Sequence, residues 1–234
     1  MGEDKEKKVA EEEQAAAEPA EKKGKKRLPI ILGVIIVVIA IAGIGFWKWH
    51  EQPTFCNAIC HNMDSFVETY YAEPGAAATD KWGNEVTNSN AMLAVTHAQS
   101  GVNCLGCHVP SLGQQMSEGM EFVTGNYEMP LKEKSVSQLL EGRGEKAESG
   151  DQFCLRDGCH EMITREVLTE ATAEMKFNPH RWQHGEIECS ECHKSHRASV
   201  FYCTQCHQEA ESSMPDGWVN YTDAQALQEA ATGK

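Results

Sequence analysis

The chain has 234 residues, a length that fits one or two soluble domains in addition to any anchoring segment. Its formal net charge is −14, a sign that repels phosphate backbones, and we therefore expect no nucleic-acid partner. All ten cysteines lie after Phe55, so cysteine chemistry is confined to the part of the chain beyond that residue.

The first 27 residues form a polar segment with eight basic and eight acidic residues and little that is apolar except Ala and Val9. Such a segment cannot bury enough apolar surface to offset the entropy lost on ordering. We therefore expect residues 1–27 to be a disordered cytoplasmic tail.

Every residue from Leu28 to Trp47 is apolar, Gly or Pro. A helix of these residues would be about 30 Å long, the thickness of the apolar part of a bilayer. We therefore expect residues 28–47 to be a transmembrane anchor that crosses the cell membrane once. The N-terminus is expected in the cytoplasm, because basic residues flank that end of the run: Lys22, Lys23, Lys25, Lys26 and Arg27.

A cleavable signal peptide is an alternative interpretation of the apolar run. Ala40-Ile41-Ala42 is compatible with a cleavage site, but the run continues to Trp47 and the preceding tail is long for a signal sequence. We favour the retained anchor. Under either interpretation residues 48–234 lie in an oxidising periplasmic or extracellular space.

The ten cysteines form five pairs, and histidine directly follows the second cysteine of every pair. Five such coincidences have a chance probability on the order of 10⁻⁷, so the pattern needs a chemical cause. Covalent attachment of haem c supplies one, because two thioethers join a cysteine pair to one haem and the next histidine binds its iron. We predict five haem c groups, attached at Cys56/Cys60, Cys104/Cys107, Cys154/Cys159, Cys189/Cys192 and Cys203/Cys206, with His61, His108, His160, His193 and His207 as iron ligands.

Two of these motifs are longer than C-x-x-C-H. Three residues separate Cys56 from Cys60, and four separate Cys154 from Cys159. Disulfides and zinc-binding cysteine pairs are alternatives for cysteines outside the cytoplasm. Neither alternative explains why histidine follows each second cysteine, so we prefer haem attachment at all five sites.

The other five histidines are candidates for the second axial ligands, and their number favours irons held by two histidines. His180 and His184 share one face if their segment is helical, and a zinc pair is the alternative there. His196 follows His193 too closely to bind the same iron, so we expect it to serve a neighbouring haem. The candidates are His50, which can equally be an interfacial residue, His97, His180, His184 and His196.

Residues 28–110 resemble the NapC/NirT/NrfH family of membrane-anchored multihaem c-type cytochromes. After the anchor, the resemblance rests on Thr54-Phe55-Cys56, Cys60-His61-Asn62-Met63, Thr96-His97, Ser100-Gly101-Val102 and Cys107-His108-Val109-Pro110. It implies that the chain oxidises quinol and passes electrons to a periplasmic reductase, and that Met63 is an alternative to His61 as ligand of the first iron. The chain departs from this family in the length of its first motif and in Leu105-Gly106 of its second.

The segment from Asn178 to Trp218 is similar to the multihaem domain of flavocytochrome c fumarate reductases. It contains Asn178-Pro179-His180, Cys189-Ser190-Glu191-Cys192-His193-Lys194-Ser195-His196 and Tyr202-Cys203-Thr204-Gln205-Cys206-His207. The resemblance implies that His180, His184 and His196 are distal iron ligands. No G-x-G-x-x-G motif follows a strand in this chain, so a catalytic flavoprotein would be a separate subunit.

Outside the motifs, residues 112–150 contain Met116, Met120 and Met129, which we expect to pack rather than to bind iron. Val136–Leu140 is compatible with a helix, and Thr222–Ala231 is predicted to be a short polar helix. Residues 48–234 provide only about 37 residues for each predicted haem, too few for a large conventional core. We therefore expect a mostly α pentahaem cytochrome c domain with extensive loops, whose core is largely haem.

The function predicted from these features is electron transfer in anaerobic respiration. Electrons would pass from menaquinol or another quinol to an extracytoplasmic reductase subunit, with a flavoprotein favoured, and the acidic surface favours a partner with a basic docking patch. No catalytic residue is predicted, and quinol oxidation is the one reaction considered for the chain itself. Two alternatives are reduction of nitrite or a similar small molecule at a haem with an open site, and delivery of electrons to extracellular acceptors.

Overall fold

The structure, a computed structural model, describes residues 27–59, 61–146, 148–161, 163–181, 183–185 and 187–233. The predicted tail, apart from Arg27, and Cys60 therefore lie outside the described residues, and so do the side chains of Ile59 and His61. The chain divides into two compact units, Met1–Lys48 and Trp49–Lys234.

Helix α1, Arg27–His50, accounts for the described part of the first unit. The helix has 24 residues, a mean hydropathy of 2.9 in its most apolar window and no buried side chain. At 1.5 Å per residue it is about 36 Å long, so it is long and apolar enough to cross a membrane. The predicted anchor, Leu28–Trp47, lies within it.

The second unit consists of short helices, 3₁₀ turns and loops with two very small sheets, and the expected mostly α architecture is confirmed. Strands β1 (Ala78–Thr79) and β2 (Glu85–Val86) are antiparallel, whereas β3 (Val200–Phe201) and β4 (Val219–Asn220) are parallel. The helices are α2 (Pro53–Ile59), α3 (Asp64–Tyr70), α4 (Leu93–Gln99), α5 (Cys104–Cys107), α6 (Leu112–Thr124), α7 (Val136–Gly142), α8 (Arg165–Ala171), α9 (Cys189–Cys192) and α10 (Tyr221–Thr232). The 3₁₀ turns are His61–Met63, Ser89–Ala91, Gly150–Phe153, Tyr202–Gln205 and Gln208–Ser213.

Local capping signals explain where several of these helices begin. Ser111 and Ser135 each form a capping box with the glutamine three residues later, at the starts of α6 and α7. The side chain of Asn220 caps α10 by accepting a hydrogen bond from the backbone N–H of Asp223. The stretches expected to be helical at Val136–Leu140 and Thr222–Ala231 therefore correspond to α7 and α10.

The apolar core of the second unit is small. Its main cluster contains Val86, Ala91, Met92, Val95 and Ala198. Among the described residues, the buried apolar side chains larger than valine are Met92, Leu140 and Phe201. Each such side chain contributes about 1.5–3 kcal/mol on burial, so a core of this size agrees with a domain that depends on a bound group for much of its hydrophobic interior.

Main-chain hydrogen bonds join the loop 194–199 to the start of α4. The backbone N–H of Leu93 donates to the carbonyl of Lys194 at 2.9 Å, and the N–H of Ser199 donates to the carbonyl of Ala91 at 3.0 Å. The two regions of family resemblance are thereby linked, and the histidines that they carry are held in fixed relative positions.

Candidate functional site

The same backbone hydrogen bond occurs within each of the three short cysteine motifs. In each, the backbone N–H of the motif histidine donates to the carbonyl oxygen of the first cysteine. In two of them the cysteines stand at the ends of a single helical turn, α5 or α9, and therefore on one side of it. The bonds join His108 to Cys104 at 2.7 Å, His193 to Cys189 at 2.9 Å and His207 to Cys203 at 2.9 Å.

The third motif closes in the same way although it has two additional residues. The backbone N–H of His160 donates to the carbonyl of Cys154 at 3.3 Å. The additional residues are accommodated in a turn at Gly158, whose φ of 78° lies in the left-handed region that glycine adopts without strain. Cys154 and His160 therefore have the same local relationship as their counterparts in the short motifs.

At the first motif, the structure describes Cys56 as half-buried in α2, while Cys60 and the His61 side chain lie outside the described part. Met63 ends the 3₁₀ turn that follows and precedes α3. The ring of His50 packs edge-on against Phe55, with 4.8 Å between ring centroids.

Eight histidines form four close pairs, and every pair contains one motif histidine and one histidine from outside the motifs. A metal ion held between two imidazole nitrogens at about 2.0 Å from each would separate the ring centroids by about 6.3 Å. The observed separations match this value, so the paired side chains fit an axially bound iron. The pairs are His97/His160 at 6.1 Å, His108/His196 at 6.4 Å, His180/His193 at 6.5 Å and His184/His207 at 6.0 Å.

Hydrogen bonds to the Nδ1 atoms assign the tautomers of two non-motif histidines. His97 Nδ1 lies 2.8 Å from the carbonyl of Leu93, which can only accept, so Nδ1 carries the proton. His196 Nδ1 lies 2.7 Å from Thr69 Oγ1, and that hydroxyl donates to the carbonyl of Phe66. Nδ1 of His196 is therefore also the donor. Both Nε2 atoms are left unprotonated, as an iron ligand requires.

His180 is held in the same way. Its Nδ1 lies 3.1 Å from Thr172 Oγ1, and this hydroxyl donates to the carbonyl of Leu168 at 2.6 Å. The imidazole therefore donates through Nδ1 and keeps Nε2 free for a metal.

Burial keeps several of the paired histidines neutral. Burial, with smaller contributions from His108 and Lys81, lowers the pKa of His196 to about 3. Burial also lowers the pKa of His108, His180 and His193. Since the neutral imidazole is the form that binds metals, these side chains are prepared for ligation at neutral pH.

His180 and His184 do not face a common point. They lie in turns rather than in a helix, and each is paired with a different motif histidine. In the part of the chain that the structure describes, no three His, Cys, Asp or Glu side chains are grouped so as to hold a metal ion. This arrangement favours two separate iron sites over a shared zinc site.

Cysteines of consecutive motifs lie close to one another. Two pairs of side chains are close enough to share a hydrogen bond, and other pairs are close enough for their charges to interact. The five attachment sites therefore follow one another in space in the order of the sequence. The pairs within hydrogen-bond range are Cys56 with Cys104 and Cys154 with Cys189, and the pairs within range of a charge interaction are Cys107 with Cys154 and Cys159, and Cys192 with Cys203.

Sequence reasoning missed the two threonines that orient distal histidines. Thr172 lies eight residues before His180, so its closeness in the sequence to a candidate ligand could have indicated its role. Thr69 lies 127 residues from His196, and no local pattern connects the two.

Comparisons with known proteins show what this chain is similar to. The cytochrome c3 family profile matches residues 96–208, which contain the second to fifth motifs, and this family binds haem c covalently. The cytochrome c-type protein Cgr1 of Eggerthella lenta is 56% identical over 224 residues, covering 95% of this chain and 100% of that protein. The probable fumarate reductase Ifc3 of Shewanella frigidimarina is 36% identical over 59 residues, which are 20% of this chain and 10% of that protein. No solved structure matches the chain.

Proposed function

This chain belongs to the family of multihaem c-type cytochromes that includes Cgr1, and from this membership we propose that it carries electrons from membrane quinol to a separate reductase outside the cytoplasm. Haem c, when bound, supplies reversible one-electron chemistry at each site. The observation that carries the proposal is the closeness of cysteines from successive motifs, from the first motif to the fifth. Long-range electron transfer requires such a row of neighbouring redox sites.

The histidine pairs supply both axial ligands at four of the five sites. Irons held by two histidines have lower potentials than irons held by histidine and methionine, and they leave no position for a substrate. Both properties support electron transfer. We assign His108 and His196 to the haem at Cys104/Cys107, His160 and His97 to Cys154/Cys159, His193 and His180 to Cys189/Cys192, and His207 and His184 to Cys203/Cys206.

The first motif is the proposed entry point for electrons. After the four pairs are assigned, the ligand candidates that remain there are His50, His61 and Met63. Asn62 Oδ1 at this motif is buried and has no hydrogen-bond partner among the described residues. A buried acceptor of this kind suits a quinol hydroxyl, which donates a hydrogen bond. Helix α1 is the proposed membrane anchor, with its N-terminus in the cytoplasm.

The fifth motif is the proposed exit. Cys206 is exposed, and the His207 side chain is 43% exposed. Residues 198–233 contain five acidic residues and no Lys or Arg. A partner with a basic patch would be attracted to this surface and oriented by it.

A flavoprotein is the proposed partner. The matched fumarate reductase is about ten times longer than its segment of similarity to this chain. The chain has no G-x-G-x-x-G motif after a strand, so the flavin-binding part would be supplied by another polypeptide.

Reduction by a menaquinol analogue tests the proposal. The purified full-length holo-protein should change from its oxidised to its reduced spectrum when the analogue is added, before any dithionite. If the haems stay oxidised with the quinol but are reduced by dithionite, quinol oxidation by this chain is wrong.

The first motif also supports a second function, which can be tested. His50 and Met63 are the remaining candidates for the second ligand of its iron, and if neither binds, that iron has an open site for nitrite or a similar small molecule. A high-spin iron whose spectrum changes on addition of nitrite would support this enzymatic function. Entirely low-spin spectra that nitrite leaves unchanged would exclude it.

A further inference from the structure

Arg143 follows α7, in the segment between the second and third motifs, and electron transfer as proposed above gives it no role. The start of α7 is fixed by the capping box of Ser135 and Gln138, and its last turn contains the fully buried Leu140. The backbone N–H of Arg143 donates to the carbonyl of Leu140 at 2.9 Å. The position of Arg143 is therefore well determined by its helix.

The end of α7 packs directly against the second motif. A Cβ atom added to Gly142 would lie 2.7 Å from the carbonyl oxygen of Val109, a separation that real Cβ atoms essentially never show. Glycine is therefore required at this point of close approach. The contact places the next residue, Arg143, beside the motif itself.

The guanidinium of Arg143 bridges two attachment motifs. An Nη2–H group donates to the carbonyl of Gly106, which lies between Cys104 and Cys107. The Cζ atom lies 5.6 Å from the ring centroid of Phe153, the residue directly before Cys154, in a cation–π contact. Arg143 thus occupies the junction of the second and third motifs.

Part of this guanidinium is buried without a partner. The Nε atom is inaccessible to solvent and makes no hydrogen bond to any residue that the structure describes. Within the described ranges, no carboxylate forms an ion pair with Arg143, and the nearby Glu145 is paired with Arg156 at 2.9 Å. A buried charged donor that lacks both a hydrogen bond and a counter-charge is costly, so we expect an anion to complete the site.

We propose that Arg143 binds a propionate of the haem c attached at the second or third motif, through Nε and an adjacent Nη. A guanidinium takes a carboxylate in a planar, two-point hydrogen-bonded pair, and the free Nε supplies one of the two donors. The carboxylate comes from the covalent haem that the family carries. The inference therefore rests on haem attachment and not on the quinol reaction.

A fixed positive charge at this place also affects redox equilibria. It favours the reduced iron, which carries one positive charge less than the oxidised iron, and so raises the midpoint potential of the haem that it contacts. Loss of the charge should lower that potential and should also change the vibrational environment of the propionate.

The test uses full-length holo-protein in detergent with the variants Arg143→Gln and Arg143→Lys. Lys132→Gln is the matched control, because it removes one charge from the same segment at a side chain that is 72% exposed. Two quantities are measured: the midpoint potentials in a mediated dithionite titration, and the propionate bending band in resonance Raman spectra.

For Arg143→Gln we expect at least a tenfold change in the reduction equilibrium of one haem, which is a fall of 59 mV for one electron, together with a moved propionate band. The midpoint potential should fall less in Arg143→Lys than in Arg143→Gln, because the positive charge is kept. The propionate band should still move, because an ammonium does not reproduce the planar pair. Lys132→Gln should change neither quantity.

Unchanged potentials and an unchanged band in Arg143→Gln would overturn the proposal, as would equal shifts in Lys132→Gln. A band or potential that moves when succinate is added to the wild type would also overturn it, because Arg143 would then take a carboxylate from solution. If intact mass shows that Arg143→Gln has lost haem, the Arg143→Lys variant with its full haem count is used instead. A moved propionate band in Arg143→Lys then supports the proposal, and an unmoved band overturns it. Dithionite is the reductant throughout, so failure of quinol oxidation leaves this test unaffected.

Discussion

The backbone N–H of His160 donates a 3.3 Å hydrogen bond to the carbonyl oxygen of Cys154, the same bond that closes the three C-x-x-C-H motifs. In those motifs the bond measures 2.7–2.9 Å. The two additional residues of the third motif therefore lengthen the loop and leave its two ends in the usual relationship. On this geometry we expect the long motif to accept haem as the short motifs do.

Intact mass spectrometry tests that expectation. The wild-type holo-protein should carry five haems, and the double variant Cys154→Ser/Cys159→Ser should carry one fewer. The variant Cys104→Ser/Cys107→Ser, in a short motif, serves as the reference for the loss of one haem. Equal haem counts in the wild type and the Cys154/Cys159 variant would show that the third motif is not used.

If His196 binds the haem at Cys104/Cys107, a substitution of His196 should change a midpoint potential only when that haem is present. His196→Met should raise the midpoint potential of one haem, because a methionine ligand favours the reduced iron more than a second histidine does. In the Cys104→Ser/Cys107→Ser background, which lacks that haem, the same substitution should have no effect. His97→Met is the control, since its effect belongs to the haem at Cys154/Cys159 and should persist in that background. A shift by His196→Met that survives there would contradict the pairing.

The sequence alone locates a feature when the residues that determine it lie close together in the chain. The attachment motifs, α1 and α10 depend on residues close together in the chain, so patterns at Leu28–Trp47 and Thr222–Ala231 were sufficient to locate them. The pairing of His196 with His108 depends on the loop 194–199 bonding to the start of α4, a long-range contact with no local pattern. The same reason explains why Thr69 was missed.

Thr69→Val removes the acceptor from His196 Nδ1 while keeping the side-chain shape. Without this hydrogen bond the imidazole becomes a less basic ligand, so the midpoint potential of its haem should rise. Loss of two hydrogen bonds, one with His196 Nδ1 and one with the carbonyl of Phe66, should also lower the free energy of unfolding by about 1–3 kcal/mol. Mediated redox titration and urea unfolding measure the two effects. Thr79→Val, at an exposed position of β1, should produce neither, and an unchanged potential in Thr69→Val would argue against His196 as an iron ligand.

Asn62→Leu tests the proposed entry site. It removes the buried Oδ1 atom, which has no partner in the described part of the chain, and the loss of one hydrogen bond to quinol should slow reduction by a menaquinol analogue about threefold to tenfold. Reduction by dithionite should be unaffected, because it needs no quinol site. Asn126→Leu, at an exposed position after α6, is the control. Equal quinol rates in the wild type and Asn62→Leu would remove Asn62 from the site.

Glu133 lies between two buried cations. Its Oε1 atom is 2.5 Å from Lys81 Nζ and 2.8 Å from Arg197 Nε, and the side chains of these cations are 6% and 7% exposed. Burial by itself raises the pKa of Glu133, but the hydrogen bond from Arg197 and the charges of Arg197 and Lys81 outweigh it and hold the pKa at about 2, below the ordinary 4.5. A carboxyl group whose pKa is depressed in the folded state stabilises the fold above its unfolded pKa, and this contribution is lost as the pH falls through the folded pKa.

Glu133→Gln should therefore lower the free energy of unfolding at pH 7 by roughly 1–2 kcal/mol, a figure reduced for solvent screening of a carboxylate that is 38% exposed. The difference from the wild type should narrow as the pH falls from 4.5 towards 2, because a protonated Glu133 is close in shape and charge to glutamine. Urea unfolding of the holo-protein across this range measures the difference. Glu128→Gln, at a side chain that is 63% exposed, should match the wild type at every pH. A deficit in Glu133→Gln that stays constant with pH would mean that packing of the side chain, and not its charge between Lys81 and Arg197, is the source of its stabilising effect.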